Sequence, residues 1–258
     1  MNAIGADLDA VLRELELAVA RRHKKPTVPA PGCQLCRDVG WVEVVIRPGY
    51  PGVRQCECYG WRRGLERLAC AGIPGQLADA DLRERSGIPA RPYDWTAPPV
   101  GAAVREALIE WCAAVRRGYD RPHLLLVGPT GAGKSHLAAA LCRWAALDCP
   151  AQGWSPLWRR WSDVLDAHGR DADRDEQARL HACSWLVLDE LTARGREWGA
   201  ELLAELLDDR TSARRPTVCT ANLVEGQLGD RVASRLAGAG RIIEVVGPDY
   251  RRRAEGNR

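Results

Sequence analysis

Apolar residues recur along this chain first at helical spacing and later in short uninterrupted runs. Leu8, Val11, Leu12, Leu15 and Val19 fall three and four residues apart, which predicts an amphipathic helix over Asp7–Arg22. Pro26, Pro29 and Pro31 end it. The next stretch, Cys33–Trp61, is marked by cysteines rather than by an apolar period. Between Arg62 and Pro99 the chain is punctuated by Gly72-Ile73-Pro74 and Gly87-Ile88-Pro89, which predicts a linker with one short helix.

From Val104 onward the pattern becomes regular. Val104, Ala107, Leu108, Trp111, Cys112 and Val115 predict a helix, and Leu124–Val127 a buried strand followed by a helix over His136–Ala146. Leu157–Trp161 reads as a strand and Asp163–His168 as a helix with Ser162 as its cap. Trp154, Trp158 and Trp161 also fit a helical stripe, and the period does not settle the choice. Arg170–Arg179 reads as exposed helix or loop. Trp185–Leu188, Thr217–Thr220 and Arg241–Val246 predict strands, and Glu197–Arg210 a helix. Strands alternating with helices predict an α/β fold with a parallel sheet covered on both faces. The expected organisation is a helix over residues 1–30, a cysteine module over 31–62, a linker over 63–95 and an α/β domain over 96–258.

Composition narrows this picture only a little. The 258 residues suffice for one α/β domain and a small attachment. A net charge of +3 is too small to name a partner. No apolar run approaches a membrane span and no charged-then-apolar leader opens the chain, so a soluble, cytoplasmic protein with reduced thiols and no membrane partner is expected.

The chemistry is concentrated after the first core strand. Gly128-Pro129-Thr130-Gly131-Ala132-Gly133-Lys134-Ser135 fits the P-loop pattern G-x-x-x-x-G-K-[ST] in a strand–loop–helix setting. Its glycines let backbone N–H groups surround a phosphate at a helix N-terminus, with His136 next in line. Lys134 is expected to reach the β and γ phosphates of ATP, and Ser135 to hold Mg²⁺. The strand Trp185–Leu188 ends in Asp189 and Glu190. Asp189 is the expected second Mg²⁺ residue, and Glu190 the expected general base for the attacking water.

Cys33-x-x-Cys36 and Cys56-x-Cys58 bracket an apolar strand and a Pro-Gly turn. Two knuckles of this kind suit a structural Zn²⁺ held by four thiolates. So small a segment has too little core to fold alone, and metal would supply the missing energy. The C-x-C arm departs from the usual C-x-x-C.

The P-loop, the Asp-Glu strand end and Thr220-Ala221-Asn222 after a further apolar strand resemble the AAA+ ATPases. The resemblance implies that Asn222 is the sensor 1 residue that orients the attacking water. Gly229–Leu236 (G-D-R-V-A-S-R-L) resembles the family's arginine-finger box, with Arg235 the better fit and Arg231 the second. Such a finger acts on the nucleotide of a neighbouring subunit and so implies a homo-oligomer. A closer resemblance, over about Gly87–Arg253, is to the DnaC/DnaI-type helicase loaders and the IstB-type transposition ATPases. It rests on S-G-I-P-A-R-P-Y over Ser86–Tyr93, on Leu206–Arg210 with Pro216–Leu223, and on the ending Pro248–Arg251. That ending implies a sensor 2 role for Arg251, although Arg251 to Arg253 are three arginines in a row. Ala221 stands where Ser or Thr is commoner.

What the resemblance implies for function is an ATP-dependent loader. It would bind a DnaB-type replicative helicase, deliver it to single-stranded DNA and release it on slow ATP hydrolysis. DnaI-like loaders carry an N-terminal zinc module that docks on the helicase, though with a ligand pattern different in detail. The basic clusters, several beside Trp or Tyr, suit a single strand but suit a solvated surface equally. The alternative is an IstB-like ATPase that assists a transposase at target DNA. A P-loop small-molecule kinase fits less well, since a monomeric kinase needs no finger for a neighbour.

Overall fold

The computed structural model describes residues 32–37, 39–85, 88–96, 101–118, 121–168, 174–192, 197–222, 230–247 and 249–250. The predicted helix over Asp7–Arg22 lies outside them. By internal contacts the chain divides into two units, one holding residues 1–59 and 86–88, the other 60–85 and 89–258.

The described strands of the first unit form a hairpin. Strands β1 (Trp41–Arg47) and β2 (Tyr50–Gln55) pair antiparallel, with Arg47 opposite Tyr50 at the turn. The Arg47 guanidinium stacks 4.2 Å from the Tyr50 ring centre. Two strands alone are marginal in water. Among its described residues the buried apolar cluster consists of Cys33, Cys36, Cys56 and Cys58, with Val42 packed against them.

The second unit is built on five parallel strands in the order β6 (Pro156–Arg160), β7 (Trp185–Leu191), β8 (Thr217–Ala221), β5 (His123–Val127), β9 (Gly240–Glu244). The central strands read as unbroken apolar runs because successive side chains enter opposite cores. Leu124 and Leu126 of β5, Trp185 and Val187 of β7 and Val218 of β8 join helices α2 (Gly101–Arg116) and α3 (Lys134–Arg143) on one face. Leu125, Leu186, Leu188 and Cys219 face α4 (Trp161–His168), α6 (Glu197–Ser212) and α7 (Asp230–Ala239) on the other. Each fully buried leucine contributes about 1.5–3 kcal/mol.

Several boundaries differ from expectation. Trp158 is buried on strand β6, and Trp161 opens α4, so the helix begins one residue before its predicted cap, Ser162. The three tryptophans are therefore not a helical stripe. Trp154 instead joins Trp111, Trp144 and Trp185 in a chain of ring contacts with centroids 5.2–5.9 Å apart. Helix α5 (Arg174–Ala182) takes up the C-terminal part of the Asp/Arg-rich stretch.

The largest difference lies in 63–95, expected as a linker with one short helix. Helix α1 (Glu57–Ala69) covers its start. Gly64 lies so close to the turn after α3 that a Cβ there would meet the Ala146 carbonyl at 2.3 Å. Further on, β3 (Ala80–Asp81) pairs with β4 (Arg91–Pro92). Asp81 is fully buried and accepts from Arg85 Nε at 2.5 Å and from Arg143 Nε, at the end of α3, at 3.0 Å. Arg85 also reaches Asp148. A buried carboxylate is tolerated because it is paired and hydrogen-bonded on all sides. The segment is thus fixed to the parallel-sheet core by this buried charge cluster as well as by Ala80 and Tyr93, which join the apolar core without a regular period.

Candidate nucleotide and metal sites

The P-loop leaves the carboxyl end of β5, where parallel sheets hold their ligands. Gly128, Gly131 and Gly133 have φ of 149°, 82° and 92°, values that favour glycine. A Cβ at Gly131 would meet Asp249 Oδ1 at 2.0 Å, and one at Gly133 the Tyr93 ring at 2.6 Å. Gly133 caps α3 with no side-chain bond to the helix. The first N–H groups of α3 are therefore uncapped by side chain, the arrangement that suits a phosphate. The buried Lys134 ammonium donates to the carbonyls of Gly128 at 2.9 Å and Pro129 at 2.7 Å.

A cavity of about 410 Å³ opens over this loop. Thr130, Gly131, Gly133, Lys134, Ser135 and His136 line its phosphate side, and Glu190 and the exposed Asn222 face the same space. Ala132 is fully buried and gives its carbonyl to the Tyr93 hydroxyl. Desolvation, and then Arg91 nearby, holds the His136 imidazole below its usual pKa, so it stays neutral at pH 7.

Asp189 and Glu190 stand at a break in the sheet. Leu188 pairs with Cys219 and Leu191 with Ala221, so two residues of β7 lie against Thr220 alone. This is a β-bulge, which re-aims side chains beside a site. Glu190 has φ of 59°, a left-handed conformation that costs a non-glycine residue about 1–3 kcal/mol. Asp189 Oδ1 accepts from Ser135 Oγ at 2.8 Å and from Thr220 Oγ1 at 2.6 Å. The Glu190 N–H donates to Thr220 Oγ1 at 2.9 Å. Glu190 Oε2 lies 3.4 Å from Arg160 Nε, at the end of β6. Ser135 and Asp189 thus meet as a hydroxyl–carboxylate pair beside the phosphate loop, a hard oxygen donor set that fits Mg²⁺.

The other predicted residues fall elsewhere. Arg235 does not line the cavity; its Nε pairs with Asp208 Oδ1 on α6 at 2.5 Å. The Arg231 side chain and Arg251 lie outside the described residues. Four residues absent from the expected site contribute to it. Arg160 and Thr220 hold the acids. Tyr93 and Tyr250 wall the cavity with ring centres 5.9 Å apart, and the Tyr250 N–H donates to the Gly131 carbonyl. The signal for the tyrosines is present in the sequence, since each lies in one of the two short motifs at the ends of the resemblance.

In the hairpin unit, the Sγ atoms of Cys33, Cys36, Cys56 and Cys58 all lie within 4.8 Å of one another, and all four residues are buried. Cys33 and Cys56 approach to 3.6 Å, Cys36 and Cys58 to 3.3 Å. Four thiolates around Zn²⁺ at about 2.3 Å stand about 3.8 Å apart, so the cluster fits that ion. Desolvation pushes the Cys36 thiol up, but the Gly40 N–H at 3.3 Å and the neighbouring sulfurs outweigh it and bring the pKa to about 7. Desolvation and those sulfurs push Cys58 up.

Residues 108–255 match the family model described as IstB-like ATP binding protein. The chain belongs to that family. It is 29% identical over 229 residues to an insertion sequence ATP-binding protein of Sinorhizobium fredii, spanning 83% of this chain and 73% of that one. It is 34% identical over 128 residues to an insertion sequence ATP-binding protein of Pseudomonas fluorescens, spanning 48% of this chain and 53% of that one. Among solved structures, DnaI aligns with a TM-score of 0.54 at 19% identity, over 71% of this chain and 98% of that one. The DnaC helicase loader aligns with a TM-score of 0.50 at 20% identity, over 67% and 100%. At such identity these two establish the fold, an AAA+ P-loop domain. This IstB-like protein is therefore an AAA+ ATP-binding protein and an ATPase. Among its described residues no helix is long and apolar enough to cross a membrane.

Proposed function

We propose that this protein is an ATP-switched loader that binds a DnaB-type replicative helicase, engages single-stranded DNA and releases its cargo on hydrolysis. The observation that carries the reading is the preformed four-cysteine cluster ahead of the ATPase core. Its hairpin also exposes Trp41, Val45 and Val53, which pairing register puts on one face, as a docking module would. Within the core, Lys134 binds the β and γ phosphates, and Ser135 and Asp189 hold Mg²⁺, which would neutralise charge on the phosphates. Glu190 takes the proton of the attacking water, which Asn222 orients. Arg235 completes the site of a neighbouring copy, with Arg231 the second choice, and Arg251 serves as sensor 2. ATP bound at such a junction favours the assembled state, and hydrolysis resets it.

A second reading is supported by the curated relatives, both insertion sequence ATP-binding proteins. In it the same switch serves a transposase at duplex target DNA. Co-purification of the full chain with the helicase of its own source, with and without ATP, separates the two. The loader reading expects a complex that Lys134→Ala retains and a Cys36→Ser, Cys58→Ser double variant loses. No complex, alongside ATP-dependent binding to duplex DNA, assigns the protein to transposition.

A further inference from the structure

Thr220 sits at the one place where the two acids of the site can be governed together. It is buried, lies on β8, and is the single residue opposite the two-residue bulge of β7. A hydroxyl has one proton to give and two lone pairs. Here the proton goes to Asp189 Oδ1 at 2.6 Å, and a lone pair accepts the Glu190 N–H at 2.9 Å. The second bond replaces what the bulge removes. A bulge leaves an amide without its ladder acceptor, and a buried N–H without an acceptor is costly. The Thr220 side chain supplies an acceptor for the Glu190 amide at the bulge.

We infer that Thr220 is a positioning residue for ATP hydrolysis: its hydroxyl fixes the Asp189 carboxylate and locks the bulge that aims Glu190 at the cavity. The inference rests on the ATPase reading of that cavity. Two consequences are specific to it. Ser135 shares Asp189 Oδ1 with Thr220. When the Ser135 oxygen turns its lone pairs to a metal ion, Thr220 still holds the carboxylate. And Glu190, kept at φ of 59°, has no reason of its own to remain left-handed once its N–H loses the acceptor.

The test compares Thr220→Val, which keeps the shape and deletes the hydroxyl, with Thr220→Ser, which keeps the hydroxyl. Steady-state ATP hydrolysis and affinity for a fluorescent ATP analogue are read on the full chain with Mg²⁺. Thr220→Val should lower kcat about tenfold or more while KM and analogue affinity stay within about twofold, the mark of an interaction used in the transition state. Thr220→Ser should recover most of the rate. Hydrogen exchange gives a readout that needs no turnover: the Glu190 amide should exchange faster in Thr220→Val and be protected in Thr220→Ser. Wild-type turnover in Thr220→Val, or an unchanged Glu190 amide, would overturn the inference. So would a rate that Ser fails to restore, or affinity falling in step with rate. If Thr220→Val does not fold, Thr220→Ala carries the same comparison. A wild-type protein without ATP hydrolysis would sink the ATPase reading instead, and amide exchange would still decide the role of Thr220.

Discussion

Arg160 Nε lies 3.4 Å from Oε2 of Glu190, so the acid proposed as general base is paired with a cation from the edge strand of its own sheet. A carboxylate paired with a guanidinium points where the pair holds it, and must leave that pair to meet an attacking water. Both side chains are about half exposed, 52% and 45%. Water and salt therefore limit the pair to about 0.2–1 kcal/mol. Arg160→Ala should raise basal ATP hydrolysis about two- to fivefold, and the gain should shrink in about 0.5 M salt, which weakens the pair in the wild type. Phosphate release measured at both ionic strengths checks this, and a slower variant would refute it.

Glu190 is itself separable from nucleotide binding. Its carboxylate stands at the bulge, while the phosphate loop is held by glycine geometry and by Lys134. Glu190→Gln keeps the size and removes the base. Hydrolysis should fall about a hundredfold or more with ATP affinity retained, because general bases contribute about 10²–10⁴. Single-turnover kinetics with pre-bound ATP is the measurement, and undiminished turnover would remove Glu190 from the role.

These two positions also show where reading the chain succeeds and fails. Leu124–Val127 and Trp185–Leu188 are legible as strands because both their faces are buried, which leaves no polar position to blur the run. The P-loop is legible because its glycines and Lys134 must occur at fixed spacing. The docking of Asp81 in 63–95 is not, because Asp81, Arg85 and Arg143 bury charge against charge, and hydrophobic periodicity is blind to that. The parts that Arg160 and Thr220 play escape notice for another reason. Their contacts with Glu190 and Asp189 exist only once β6, β7 and β8 are aligned. Pairing register is a tertiary fact, whereas a strand end rich in acids is a local one.

The cysteine cluster should couple metal to folding in one unit of the chain and leave the other alone. Its four buried sulfurs take the place of a core in the hairpin. Purified protein should carry about one Zn²⁺ per chain. A strong chelator, or Cys36→Ser, should unfold residues 32–59 while ATP affinity stays within about twofold, since the binding energy of a structural metal is folding energy. Elemental analysis with amide exchange resolved by segment checks both halves. A metal-free hairpin that stays protected would show that the thiols pack as ordinary core.

Arg235 provides the sharpest test of assembly. It sits on α7, outside the nucleotide cavity of its own chain, and pairs with Asp208 on α6 at 2.5 Å. That pair is partly exposed, 32% and 45%, and is worth about 0.2–1 kcal/mol at most. A neighbour's phosphate charge in a water-poor junction offers more, so the guanidinium can leave Asp208 at little cost. Arg235→Ala alone should lower turnover about a hundredfold or more without lowering ATP affinity, as loss of a finger does. Lys134→Ala alone should neither bind nor hydrolyse ATP. Mixed together, the two should recover activity, because a Lys134→Ala subunit still lends Arg235 to the intact P-loop of its neighbour. Activity is read across mixing ratios and should peak between the pure variants. A flat line at zero would mean that Arg235 serves only its own chain, and would turn attention to Arg231.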